Sequence, residues 1–217
     1  MKALSAYKHQ QLPASFYQRE NVCAVAKDLI GKLLITCFDH QLTAGRIVET
    51  EAYNGIVDKA SHAYGGRYTS RTEVMYRAGG LAYVYLCYGI HHLFNVVTNV
   101  ETVPHAVLIR GIEPMAGIET MLERMRKTKM DHAVGRGPGN VSKALGLQVI
   151  HSGTDLLGDS IFIADDNYRV RSSSLIATPR IGVDYAEEDA LLPYRFIVKD
   201  HPHVTKHANN KKQILRR

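Results

Sequence analysis

Residues 81–99 constrain the fold more than any other stretch of the chain. Side chains of an extended strand point alternately to its two faces, and Tyr83-Val-Tyr-Leu-Cys-Tyr88 alternates in this way. Gly89 then offers a turn, and Leu93-Phe-Asn-Val-Val97 resumes the extended pattern. The stretch therefore predicts a β-hairpin with its tip near residues 89–91.

The position of the tip determines which side chains of this hairpin face each other. With a tip centred on Ile90, Tyr85 lies opposite Asn95, and Tyr83 shares their face. One surface of the hairpin then displays two tyrosines and an amide, while Tyr88 lies by the tip and projects beyond the sheet.

A second extended stretch, Arg46-Ile-Val-Glu-Thr-Glu-Ala-Tyr53, carries acidic side chains. In a strand, Glu49, Glu51 and Tyr53 point to the same side. A strand over residues 32–37 precedes it, and the two predict an earlier hairpin. Because carboxylates beside an aromatic ring are unusual in a core, this face is a candidate site.

Helices and further strands make up the rest of the predicted fold. Asn21 is placed to cap a helix that Gly31 ends. The pattern then predicts a strand over 106–110, a helix from Pro114 to Lys127, a helix over 141–147, and strands over 155–163, 180–183 and 194–198. We expect a loose lead-in over 1–11, a single domain over 12–204 and a basic, disordered tail over 205–217.

Composition limits the class of protein. The chain has 217 residues, of which 45% are hydrophobic, so we expect one domain, at most two. No apolar run approaches the roughly 20 residues of a membrane span, so we expect no membrane segment. The first residues lack the apolar stretch of a secretory signal, and three single cysteines have no metal-site spacing, which favours a reducing, intracellular compartment. The net charge of +6 favours a polyanionic partner such as nucleic acid.

Basic side chains in two polar stretches are candidates for contacts with phosphate groups. The alternative for each of them is an ordinary solvated surface position. They are Arg67, Arg71, Arg77, Lys127, Lys129, Arg136 and Lys143.

Four motifs are spread in order along the chain. They are Ile47-Val-Glu-Thr-Glu-Ala-Tyr53, Tyr83-Val-Tyr-Leu-Cys-Tyr-Gly89 leading to Asn95, Arg110-Gly-Ile-Glu-Pro114, and Arg180-Ile-Gly-Val183 before Tyr194-Arg-Phe-Ile-Val198. With these motifs the chain resembles the alkyladenine (3-methyladenine) DNA glycosylase family of the mammalian type, from about Leu12 to His203.

The resemblance implies a fold and an activity. The fold is a single mixed α+β domain with a curved, largely antiparallel sheet, a protruding hairpin that inserts into DNA, and surrounding helices. The activity is excision of damaged purines such as 3-methyladenine, hypoxanthine and etheno-adenine from double-stranded DNA, by a monomer that flips the nucleotide out and hydrolyses the N-glycosidic bond. No metal, organic cofactor or lysine nucleophile is implied, and the product is an abasic site.

The resemblance also implies the residues of the reaction. Glu51 matches the general base that activates water. Arg110 matches an arginine that helps to hold Glu51 and the water, and the backbone at Ile181 matches a further contact to the water. From the residues alone, Glu49 on the same face is a rival for the role of base.

Base recognition is implied in the same way. Tyr53 and Tyr85 match the two rings that stack on the base, and His62 matches a histidine that hydrogen-bonds toward the six-position of the purine. Asn95 matches the side chain that excludes the 2-amino group of guanine. Tyr88 matches the wedge, with Gly89 beside it at the tip, and Ile90 stands where mammalian members carry methionine.

Two other classes of function remain open at this point. A noncatalytic nucleic-acid-binding module shares the charge and the aromatic tip but has no need of Glu51. A metal-dependent hydrolase requires ligands from the histidines, which include His91, His92, His105, His201 and His203.

Overall fold

The computed structural model describes residues 2–211 of the chain. The α-helices are α1 (Lys2–Lys8), α2 (Ala14–Tyr17), α3 (Val22–Leu29), α4 (Ile118–Met125) and α5 (Pro138–Leu145). The strands are β1 (Leu33–Phe38), β2 (Gln41–Tyr53), β3 (Ala82–Cys87), β4 (His91–Thr98), β5 (His105–Ala116), β6 (Ile161–Ala164), β7 (Leu175–Thr178) and β8 (Arg195–Val198). Short 3₁₀ helices, among them Glu73–Tyr76 and Asp184–Leu191, lie in the connections.

All eight strands join in one antiparallel sheet. Its main path runs β3-β4-β5-β2-β1-β6, and β8 pairs with both β2 and β7. The 13-residue strand β2 reaches across this sheet, because β1 pairs with its beginning and β8 pairs with residues 49–51. The predicted α+β domain with a mainly antiparallel sheet is confirmed.

The hydrophobic core lies between one face of the sheet and helices α3 and α5. Asn21 caps α3 by accepting a hydrogen bond from Ala24 N, as predicted, and the buried face of the helix includes Val25 and Leu29. Phe94 and Ile109 are among the sheet side chains that meet this layer. Because alternate residues of a strand face opposite sides, the neighbours of these core residues point to the other face of the sheet.

Both predicted hairpins form, but the tip of the second lies one residue earlier than expected. Tyr83 pairs with Asn95, and Tyr85 pairs with Leu93, so the predicted pairing of Tyr85 with Asn95 is wrong. The tip is centred on Gly89, since Tyr88 and Gly89 both take left-handed backbone angles, with φ of 51° and 72°. Sequence alternation defines the strands, whereas the register depends on this turn geometry.

Three predicted boundaries are wrong. Pro114 does not begin a helix: it continues strand β5 opposite Gly45, next to a register shift, which is a position where a missing N–H is tolerated. Residues 180–183 form a bend, because the preceding Pro179 cannot donate to a strand ladder. Of residues 155–163, only the last three belong to a strand, which extends to residue 164.

The two ends of the described chain pack against the domain. Helix α1 lies within the predicted lead-in, and Gln11 pairs with Ala164. In the segment predicted to be a disordered tail, Thr205 N donates to Glu49 and Asn210 Oδ1 accepts from Arg195, so residues 205–210 are attached to the sheet. Residues 212–217 lie outside the described part, and the domain limits at 12 and 204 stay predictions.

Candidate active site

A cavity of about 550 Å³ opens beside the β3–β4 hairpin, on the sheet face opposite the main core. Its walls come from strands β3 to β5, the loop before β3, the start of α5 and the bend after β7. Aromatic and polar side chains mix in this lining, which includes Tyr53, Ser61, His62, Arg71, Tyr83, Tyr85, Asn95, Leu108, Arg110 and Ile181. Apolar walls with a few converging polar groups are typical of a site for a small, partly aromatic ligand.

Strand register places four side chains in a row beneath this cavity. Tyr83 pairs with Asn95, Asn95 with Leu108, and Leu108 with Glu51. Residues in register across adjacent strands share a face. The antiparallel sheet therefore aligns the motif of β2 with the motif of β3.

Glu51 is fully buried at the inner end of this row. Its Oε1 accepts a hydrogen bond of 2.8 Å from Ile181 N. Its Oε2 accepts one of 2.8 Å from the hydroxyl of Tyr53 and one of 3.4 Å from Arg110. All three donors belong to residues that line the cavity.

Arg110 lies between two carboxylates because of a β-bulge. The register between β5 and β2 shifts at this point, where Ile109 faces Thr50 and Gly111 already faces Glu49, so Arg110 is the extra residue. Its Nε donates to Glu49 at 3.1 Å, and its Nη1 donates to Glu51. Burial lowers the pKa of Arg110, but the two carboxylates outweigh burial and raise it, so the side chain stays positive.

Glu49 has different partners from Glu51. Arg195 Nε donates to Glu49 Oε1 at 2.7 Å, and Thr205 N donates to its Oε2 at 2.8 Å. Burial raises the pKa of Glu49, but Arg110 and Arg195 overcome burial and lower it. The predicted rival is thus tied into a buried ion network, whereas Glu51 is bonded to residues of the cavity wall.

His62 is held at the cavity wall by aromatic side chains. Its Nδ1 lies 2.8 Å from the hydroxyl of Tyr83, and its ring meets Tyr85 edge-on at a centroid distance of 4.6 Å. Burial, followed by the charges of Arg71 and Arg67, lowers the pKa of His62 to about 4. The imidazole is therefore neutral at pH 7.

Asn95 is buried and fixed in orientation. Its amide nitrogen donates to the carbonyl oxygens of Tyr83 at 3.1 Å and Leu93 at 3.3 Å. Both amide hydrogens are used by the hairpin itself, so the side chain is a rigid part of the cavity wall.

The hairpin tip is the most exposed apolar part of the site. Tyr88 is 91% exposed and Ile90 is 70% exposed, with Gly89 between them. A large aromatic side chain at a left-handed backbone position is uncommon, and such strain is concentrated at functional sites.

Comparison with known proteins identifies the family. A model of the methylpurine-DNA glycosylase family matches residues 15–202. The chain belongs to this family. Two bacterial relatives are named as 3-methyladenine DNA glycosylases. The protein from Chlamydia felis is 46% identical over 188 residues, which are 86% of this chain and 95% of the relative. The protein from Bacillus mycoides is 45% identical over 204 residues, which are 90% of this chain and 100% of the relative.

Family membership makes the chain a DNA glycosylase, a hydrolase whose substrate is DNA. The reported relatives are bacterial, so the mammalian qualification of the resemblance is not supported. Within residues 2–211, no helix has the length and apolar character needed to cross a bilayer.

The basic residues predicted to bind DNA occupy different places in this glycosylase. Arg67 and Lys143 are exposed, and Lys143 lines a groove next to Ile90. Arg136 is half-buried and donates to the carbonyl of Pro202 at 3.4 Å. Arg71 instead lines the cavity. Their contacts with phosphate stay predictions.

The buried ion pair between Arg180 and Asp58 was not predicted from the sequence. Arg180 donates to both carboxylate oxygens of Asp58, at 2.5 and 2.8 Å, and its guanidinium lies 4.9 Å from the centre of the Tyr53 ring. The pair fixes the bend that presents Ile181 N to Glu51. Arg180 belongs to a quoted motif, but nothing local marks Asp58 as its partner.

The histidines considered as metal ligands do not assemble a metal site in the described part of the chain. Over residues 2–211, no three His, Cys, Asp or Glu side chains come together with the geometry of a metal site. His201 lies 3.8 Å from Glu113, and His92 Nδ1 accepts a hydrogen bond from Val149 N.

Proposed function

We propose that this glycosylase removes 3-methyladenine and hypoxanthine from double-stranded DNA in base excision repair, with Glu51 as the general base. The observation that carries the proposal is the bonding of Glu51, whose three donors all line an aromatic cavity large enough for a purine. The relatives' names give 3-methyladenine as their base.

Access to the cavity requires the damaged nucleotide to leave the helix. Unstacking costs a few kcal/mol, and the cost is smallest for damaged or mismatched bases. Tyr88 extends from the hairpin and is free to fill the gap in the stack, with Gly89 and Ile90 beside it. Arg67, Arg136 and Lys143 are the proposed phosphate contacts around it.

Hydrolysis needs a water aimed at the anomeric carbon and a group that takes its proton. Glu51 Oε1 has one hydrogen bond, from Ile181 N, so a second lone pair remains for a water. Tyr53 and Arg110 occupy Oε2 and fix the plane of the carboxylate. General base catalysis of this kind contributes about 10²–10⁴-fold, and the step leaves an abasic site.

Selection among bases comes from stacking and from one exclusion. Tyr53 and Tyr85 stack on the flipped purine, and the cationic ring of 3-methyladenine gains a further cation–π attraction. The rigid Asn95 amide rejects the 2-amino group by which guanine differs from hypoxanthine. We expect the enzyme to act as a monomer and without a cofactor.

The decisive test uses a labelled duplex with one hypoxanthine opposite thymine. Wild-type protein, Glu51→Gln and the surface control Glu73→Gln are incubated with it in the presence of a chelator, and alkali then cuts any abasic site. A second series measures release of 3-methyladenine from methylated DNA.

The expected result is alkali-dependent cleavage at the lesion by wild type and Glu73→Gln, with none in unmodified duplexes. Glu51→Gln should bind the duplex but lose at least about 100-fold in rate. A wild-type protein that binds DNA and releases neither base would support the noncatalytic module. Loss of wild-type activity in the presence of the chelator would support a metal-dependent hydrolase instead.

A further inference from the structure

Arg71 lines the cavity wall, and its side chain is exposed to solvent. Its Nη2 is hydrogen-bonded to His62 Nε2, its Nε lies 3.4 Å from the Tyr83 hydroxyl, and its guanidinium lies 5.1 Å from the centre of the Tyr85 ring. Among residues 4–210, no carboxylate forms a salt bridge with Arg71. An unneutralised positive charge therefore faces the cavity.

The contact with Arg71 determines the tautomer of His62. A guanidinium only donates hydrogen bonds, so His62 Nε2 accepts and its proton resides on Nδ1. That Nδ1–H donates to the Tyr83 hydroxyl at 2.8 Å. The histidine thus offers no Nε2 proton to a base while Arg71 is in place, and the hydrogen-bond donor at this edge of the cavity is the guanidinium.

A base held between Tyr53 and Tyr85 presents a defined edge to Arg71. Its N9 must point toward Glu51, because the reacting bond starts there, and Glu51 is bonded to Tyr53. Position 6 lies across the purine from N9. Arg71 lines the same cavity, and its guanidinium lies 5.1 Å from the centre of the Tyr85 ring, so a base stacked on Tyr85 lies next to this guanidinium.

We propose that Arg71 is a specificity-determining residue that donates to the 6-oxo group of the flipped base and favours hypoxanthine over cationic methylated adenine. The inference rests on the proposed function. An arginine fork matches the O6 and N7 acceptors of a 6-oxopurine, as it does for guanine in the major groove. The 6-amino group of an adenine lesion is a donor, and a cationic ring repels the guanidinium.

The test compares two substrates for each variant. Single-turnover rates are measured for hypoxanthine in a duplex and for 3-methyladenine in methylated DNA, with wild type, Arg71→Met and Arg71→Lys. Arg171→Met, which alters an exposed arginine outside the cavity, is the matched control. The ratio of the two rates within one preparation cancels differences in the amount of folded enzyme.

Arg71→Met should lower the ratio of hypoxanthine to 3-methyladenine excision by about 5- to 150-fold, the discrimination of one bidentate contact. Arg71→Lys keeps the charge without the fork and should lower the ratio less, while Arg171→Met should leave it unchanged. Equal loss for both substrates, with a shallower salt dependence of binding, would assign Arg71 to phosphate and overturn the proposal. A wild-type enzyme that releases neither base would instead contradict the proposed function.

Discussion

Replacement of Tyr88 by glycine separates the stability of the hairpin from its role in DNA. The ring is 91% exposed, so its removal uncovers almost no buried surface. The backbone at Tyr88 has a φ of 51°, a conformation that costs a non-glycine residue about 1–2 kcal/mol, whereas the extra flexibility of glycine costs roughly 0.5–1 kcal/mol. The free energy of unfolding should therefore change by no more than about 1 kcal/mol.

Excision from duplex DNA should respond far more strongly. One aromatic stacking contact with a base is worth about 1–3 kcal/mol, so loss of the ring should slow excision of hypoxanthine about 5- to 150-fold. The measurement is a single-turnover rate on a fully paired duplex and on the same lesion inside a short mismatched bubble. The bubble is already unstacked, so Tyr88→Gly should lose little there.

Two results would refute this reasoning. Equal loss on the paired duplex and on the bubble would show that Tyr88 acts on the chemical step or on general affinity rather than on flipping. If Tyr88→Gly excised hypoxanthine from the paired duplex at the wild-type rate, Tyr88 would not act as a wedge. Tyr168→Ala, which alters an exposed tyrosine outside the hairpin, should leave both rates unchanged.

Three further predictions concern stability. Asp58→Asn leaves the Arg180 guanidinium buried without its counterion and should cost about 3–5 kcal/mol in urea unfolding; a cost below about 1 kcal/mol would contradict the structural role of the pair. Burial, as the main cause, lowers the pKa of His62 to about 4 in the folded protein. The unfolded chain therefore binds a proton at His62 at a higher pH than the folded protein does, so the free energy of unfolding should decrease as the pH falls from 6.5 toward 4. Melting temperatures of His62→Gln should depend less on pH over that range than those of wild type, and identical curves would count against the buried neutral histidine. Gly135→Ala would drive a methyl group into the carbonyl oxygen of Ile112 and should lower the melting temperature by several degrees; an unchanged value would show that the backbone relaxes freely.

Local patterns allowed several elements to be predicted. Alternation defined the strands of both hairpins, and a polar cap followed by helical spacing defined α3. The exposed position of Tyr88 at a turn also followed from residues close to it in the chain. Such features depend on neighbours within a few residues, and the sequence displays those neighbours directly.

Errors arose where backbone conformation at a turn or pairing between strands decides the structure. The centre of the hairpin tip moved by one residue, because the left-handed angles at Tyr88 and Gly89 determine which residues pair. Pro114 favoured a helix start, yet pairing with β2 kept β5 extended beyond it. Tertiary pairing overrides local preference when the ladder continues through a tolerated site.

The sequence by itself determined the extended segments, the aromatic hairpin and the presence of two carboxylates on one face of β2. Only the tertiary structure decided how those carboxylates differ. Ile181 N reaches Glu51 from 130 residues away, and Arg195 reaches Glu49 from 146 residues away, while a bulge at Arg110 places one guanidinium between them. Burial of charge is tolerated only where partners converge, and that convergence is a property of the folded sheet that no local pattern records.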